Sequence, residues 1–135
     1  MLAEFIKVNT ATLRYQQGSV TSTLRDALEE AGLEDVKAVK FHPVDDHLLI
    51  GEGLAHEVDG RAEPMARNVR HQGNDIRSVI PPKGIEQLGT DAEETQEREV
   101  QIDLWVSTDD DLEQPLIAIT PHIRETMSVD VADIV

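Results

Sequence analysis

The chain has 135 residues, enough for one compact domain, and 27 acidic against 12 basic side chains give it a formal net charge of −15. It contains no cysteine, which excludes disulfides, thiolate nucleophiles and thiolate metal sites, and no apolar run approaches the about 20 residues that a membrane-spanning helix needs. The opening MLAEFIKVNT has no signal-peptide pattern, so the expectation is a soluble cytoplasmic protein.

Alternation predicts a strand over Ala3 to Asn9, with Phe5 and Lys7 on one side and Ile6 and Val8 on the other, and a second over Thr12 to Gln16. A Gln17-Gly18 turn and the β-branched run Ser19 to Thr23 complete a hairpin. The period then changes: Leu24, Leu28 and Ala31 recur at helical spacing, Gly32 supplies the stop and Thr23 is a candidate N-cap. Val36 to Phe41 and His47 to Ile50 return to strand grammar around a break at Pro43 to Asp46, and Gly51 to Val58 is a candidate extension. The same order follows again. Met65 to Gln72 and Ile76 to Ile80 flank a Gly73-Asn74-Asp75 turn, and Pro82 opens a short helix over Lys83 to Leu88 that stops at Gly89. Thr90 to Glu97 reads as a polar loop. Glu99 to Val106 is the clearest amphipathic strand, Asp109 to Asp111 an exposed turn, Leu116 to Ile119 a last strand, and His122 to Val135 a tail with at most one helical turn.

The two halves share spelling as well as order. Leu13-Arg14-Tyr15-Gln16 aligns with Val69-Arg70-His71-Gln72 at an offset of 56 (69 − 13), and past one inserted residue Leu28, Ala31 and Gly32 align with Ile85, Leu88 and Gly89 at 57. Charge repeats too. Residues 1–25 carry +2 and 26–60 carry −8, whereas 61–83 carry +3 and 84–113 carry −10. The division is therefore 1–60 for a first repeat, 61–120 for a second and 121–135 for the tail.

In the second half, Ile80-Pro81-Pro82-Lys83-Gly84-Ile85-Glu86-Gln87-Leu88-Gly89 follows a basic hairpin and precedes further strands. This resembles the AbrB/MraZ/SpoVT swapped-hairpin family, whose hallmark phrase I-P-K-x-I-x-x-x-L-G here carries one additional proline. The resemblance implies a mostly β fold with short helices, two ββαββ-like repeats forming a pseudo-two-fold swapped-hairpin barrel, in a tandem form that supplies both units from one chain. It also implies DNA binding, regulation of transcription and homo-oligomers, without catalysis or a cofactor.

The residues themselves offer a DNA-binding set. Arg14, Gln16, Arg25, Arg67, Arg70, His71, Arg77 and Lys83 lie on or beside the basic hairpins, with Gln17 and Gln72 next to them. The arginine fork matches phosphates and guanine edges, and glutamine matches adenine. Against this stands the acidic total, because a negative surface repels duplex DNA; the competing reading pairs these arginines with neighbouring carboxylates. Eight arginines to four lysines, with few aromatics, resemble the composition of proteins from salt-loving archaea, in which dense carboxylate keeps a chain soluble while salt screens its repulsion. A different class of function is a protein-interaction module, antitoxin-like or an assembly subunit, that contacts a protein partner through its acidic strands or tail. His42, Asp45, Asp46, His47 and His56 are metal-ligand types, but they straddle a proline turn where aspartates are expected anyway, so no metal site is assigned. No nucleophile elbow, phosphate-binding glycine loop or HExxH phrase is present. Trp105 reads as packed against the barrel rim, with its face left open.

Overall fold

The computed structural model describes residues 2–44, 47–51, 65–108, 115–122 and 125–130. The elements in chain order are β1 (Leu2–Gln16), β2 (Ser19–Thr23), α1 (Arg25–Ala31), β3 (Ala38–Val44), β4 (His47–Gly51), β5 (Met65–Gln72), β6 (Asp75–Val79), α2 (Pro82–Gln87), α3 (Ala92–Glu97), β7 (Val100–Ser107), β8 (Ile117–Pro121) and β9 (Met127–Asp130). The first eight strands close into an antiparallel barrel in the ring order β1-β2-β6-β5-β3-β4-β8-β7 and back to β1. Closure removes the exposed edges that an open sheet would present. The ninth strand adds to the N-terminal end of β1, pairing Leu2 to Phe5 with Asp130 to Met127.

Two tight turns, at opposite ends of the antiparallel β2–β6 pair, set the hairpin registers. Gln17 and Gly18 have φ of 51° and 84°, the two positive values that a type I′ hairpin turn requires, and in the β5–β6 turn Gly73 alone is positive at 60°. The β1–β2 hairpin sets Arg14 opposite Thr21 and Gln16 opposite Ser19; the β5–β6 hairpin sets Arg70 opposite Arg77 and Gln72 opposite Asp75. Each residue of the second set lies 56 positions after its counterpart in the first (70 − 14, 77 − 21, 72 − 16, 75 − 19). The hairpins meet through β2 and β6, where Ser22 faces Ser78, again 56 apart (78 − 22). Across the barrel, β4 and β8 meet with Leu49 opposite Ala118. The β1–β2 hairpin is thus flanked by β6 and β7, and the β3–β4 hairpin by β5 and β8.

Alternation sends one row of each strand inward. Leu13, Val20, Phe41, Leu48, Ile50, Ile102, Leu104, Ile117 and Ile119 form the barrel core, joined by Leu24 and Leu28 from the α1 region and by Ile80 and Ile85 around α2. Helix α1 buries Ala27, Leu28 and Ala31, the face that its spacing predicts, and Gly32 ends it at φ 74°. Helix α2 lies against β3 and β4, and there Gly84 leaves no room: a Cβ at this position would stand 2.9 Å from Leu48 Cδ1 and 3.3 Å from Ile80 Cγ2. Leu48 is fully buried and cannot move aside freely. Gly84→Val is therefore expected to cost ~1–3 kcal/mol through overpacking, read as a lower melting temperature. A variant as stable as the wild type would show that α2 can lift from the barrel without loss.

Several local expectations are corrected. Residues 2–16 form one strand rather than two, with a register shift between Lys7 and Asn9 where two runs were expected. Strand β3 continues through Pro43 to Val44, so that proline does not break it. The N-cap position of α1 is Leu24, without a side-chain cap; the Thr23 hydroxyl donates to Asp75 and accepts from the Arg25 N–H at 3.4 Å. The stretch Thr90 to Glu97 contains helix α3, capped by the Asp91 carboxylate accepting from the Glu94 N–H at 2.7 Å, and the tail contributes strand β9. Strand β7 is not amphipathic in place. Asp103 and Trp105 on its outer side are as buried as Ile102 and Leu104 on its inner side. The reason is a second apolar layer outside the barrel, comprising Ala3, Phe5, Leu49, Trp105, Leu116, Ala118 and Met127. Asp45, Asp46, His56, Asp109 to Asp111, most of the candidate β4 extension and the 60/61 repeat boundary lie outside the described residues.

Candidate nucleic-acid interface

The docking of the two hairpins makes a four-stranded surface in the order β1-β2-β6-β5. Directly opposed residues share a face. Leu13, Val20, Val69 and Ile76 point into the core, and the outer face carries two rows, Arg14–Thr21–Val79 and Arg70–Arg77–Thr23. Beyond the rows stand Gln16 beside Ser19 and Gln72 beside Asp75. Arg14, Gln16, Arg70 and Gln72 are exposed. A shallow groove of ≈ 490 Å³ crosses this face, lined by Gln16, Ser19, Thr21, Arg70, Gln72 and Val79 among others.

Arg77 lies on the same face in another state. It is only 7% exposed, and its guanidinium donates to Asp75 Oδ2 at 3.1 Å and to Thr21 Oγ1 at 3.1 Å. Asp75 also accepts from the Thr23 hydroxyl at 2.5 Å and the Ile76 N–H at 2.9 Å. Burial by itself raises the Asp75 pKa, but the hydrogen bonds from Thr23 and Arg77, the Arg77 charge and the Ile76 N–H outweigh it and hold the carboxyl below its ordinary value. The guanidinium ties β6 to β2, making Arg77 a strut beneath the face.

The remaining predicted residues sit elsewhere. Arg67 is half-buried on the Val69 side of β5 and donates to the Ala66 carbonyl at 2.7 Å. His71, also on that side, has Nε2 3.3 Å from the Val36 carbonyl oxygen. Arg25 opens α1 and pairs with Glu29 at 3.4 Å, and Lys83 is exposed on α2. The structure therefore places Arg14, Gln16 and Arg70 on the same face as Arg77, with Arg14 and Arg70 on its two edge strands, and adds Gln72 and Ser19.

A second polar centre lies on the outer side of β7. Asp103, fully buried, accepts from Thr10 Oγ1 at 2.7 Å and from His122 Nδ1 at 2.7 Å, and pairs with Lys7 Nζ at 3.2 Å. The Lys7 ammonium lies 5.2 Å from the centre of the Trp105 ring, whose Nε1 donates to Thr120 Oγ1 at 2.9 Å. Burial pushes the Asp103 carboxyl up, yet the hydrogen bonds from Thr10, His122 and Lys7 and the Lys7 charge win, leaving it below its ordinary value. An ionised carboxylate only accepts, so His122 Nδ1 carries the hydrogen. The sequence signal is a carboxylate flanked on both sides by apolar residues in IDLWV, Ile102 to Val106.

These depressed values have a pH signature. Carboxyls held low in the folded state stabilise it fully above the unfolded value, about pH 4, and that stabilisation is lost as pH falls through the folded values. The stability difference between wild type and Asp103→Asn is therefore expected to be constant from about pH 5 upward and to close below about pH 4. A difference unchanged down to pH 2 would refute the ionised centre. Taking a difference matters here because protonating the other carboxylates relieves repulsion and acts with the opposite sign.

No family model matches the chain, and no curated protein or solved structure is significantly similar to it.

Proposed function

We propose that the protein is a small DNA-binding regulator of the swapped-hairpin type, built from two tandem repeats and adapted to high salt, which binds duplex DNA without catalysis through the outer face of β1-β2-β6-β5. The observation that carries the reading is the charge of the two hairpins that build that face. The hairpin spans 13–23 and 69–80 hold Arg14, Arg70 and Arg77 against the single carboxylate Asp75, a net +2 within a chain of −15. A strongly acidic protein can approach a polyanion only through such an island, and this one places two exposed arginines and two exposed glutamines on one surface. The repeat reading is supported by the offset of 56, which recurs in both hairpin registers and at the Ser22–Ser78 contact, and by the interleaving of hairpins around the ring.

The reading is tested by fluorescence anisotropy with a pool of random duplexes across a KCl series, with circular dichroism reporting the fold at each point. Binding is expected at the lowest salt that keeps the chain folded, and it weakens as salt rises. Absence of any complex wherever the fold is intact would defeat it. Recovery of a stoichiometric protein partner whose affinity survives loss of Arg14 and Arg70 would replace it with the protein-interaction role.

A further inference from the structure

We infer that a single chain reads a directional DNA site, one whose contacts from the edge strands β1 and β5 match in the two halves but whose contacts from the inner strands β2 and β6 do not. This rests on the DNA-binding reading above. At the offset of 56, the face contains matched pairs and unmatched pairs. Arg14 corresponds to Arg70 and Gln16 to Gln72, so the exposed long side chains are the same in both halves. Ser19 corresponds to Asp75, Thr21 to Arg77 and Thr23 to Val79, so the inner strands differ.

The difference is chemical. A hydroxyl at Ser19 can donate to a phosphate or a base acceptor, whereas the Asp75 carboxylate is held ionised, with 37% of its side chain exposed, and only accepts. Near Asp75 a phosphate is repelled and a base-edge donor such as the cytosine amino group is favoured. A homodimer with one hairpin per chain would present two identical halves to an inverted repeat. Here β1–β2 and β5–β6 come from one chain and are joined through β2 and β6, so the asymmetry is fixed covalently and the unit of binding is one chain per site.

The test selects duplexes of about two helical turns from a random library with the wild-type chain, then remakes the preferred site as two palindromes, each built from one of its halves. The wild type is expected to bind the directional duplex on the order of tenfold tighter than either palindrome, at one chain per duplex. The triple variant Asp75→Ser, Arg77→Thr, Val79→Thr, which gives the second hairpin the residues of the first, is expected to lose that preference and to bind one palindrome at least as tightly. If the variant does not fold, the wild-type comparison alone decides. A wild-type consensus that is a perfect inverted repeat, or two chains per site, overturns the inference and leaves the DNA-binding reading in place. Failure to enrich any duplex overturns both.

Discussion

Replacing Arg14 and Arg70 together with alanine is expected to weaken duplex binding on the order of 10³-fold while leaving the fold intact. Both side chains are exposed on the outer face, so their loss uncovers no core. An arginine fork on a phosphate or guanine edge contributes ~1–3 kcal/mol, and losing two such contacts removes about 4 kcal/mol. Each single variant is expected to lose on the order of 30-fold, because the pair occupies equivalent positions of the two hairpins. Arg77→Ala should behave differently. Its guanidinium is committed to Asp75 and Thr21, so the principal effect is on thermal stability, and loss of binding follows from a loosened β2–β6 contact. Equal binding by wild type and the double variant would remove the face from the account.

The largest effect on stability is expected at Asp103. Asp103→Ala removes the acceptor shared by Thr10, His122 and Lys7. Leaving polar groups without their buried partner costs several kcal/mol when they stay buried, but Lys7 and His122 have side chains 36% and 46% exposed and can turn to water. The expected loss is therefore about 2–3 kcal/mol, or roughly 10 °C in melting temperature for a chain of this size. Asp103→Asn keeps shape and part of the hydrogen bonding and should lose about half as much. Calorimetry in the same salt distinguishes the two variants, and a wild-type melting temperature for Asp103→Ala would show that the network contributes nothing. DNA binding should be unaffected in the folded fraction, because this centre joins β7 to the Lys7–Thr10 part of β1 and lies outside the hairpin residues 13–23 and 69–80.

What is legible in the sequence follows from local signals. The hairpins announced themselves through Gln17-Gly18 and Gly73-Asn74, where a turn must adopt positive φ, and α1 through Leu24, Leu28, Ala31 and the stop at Gly32. The hairpin alignment was legible because Arg14 and Gln16 recur at Arg70 and Gln72, and the observed registers keep that offset. Helix α3 was not, because it buries only Thr95 and so lacks an apolar stripe; its signal is the Asp91 cap and an Arg98–Glu94 pair. Strand β9 leaves no sequence signal because four residues pair with one edge of β1, a non-local contact that no short-range pattern encodes. The outer apolar layer was missed for a related reason. Trp105, Leu49 and Ala118 are far apart in sequence and become neighbours only when β4, β8 and β7 lie side by side. Within the candidate site, charge alone grouped Arg77 with Arg14 and Arg70, whereas burial separates it: only the structure shows Asp75 and Thr21 holding its guanidinium.

If this acidic protein meets DNA through the Arg14 and Arg70 face, the salt dependence of binding must report those two charges. Plotting log Kobs against log [KCl] over the range in which the chain remains folded gives a slope set by the number of phosphates neutralised. A negative slope is expected for the wild type, shallower by about two in the Arg14→Ala, Arg70→Ala double variant. The same slope and affinity in both proteins would contradict it.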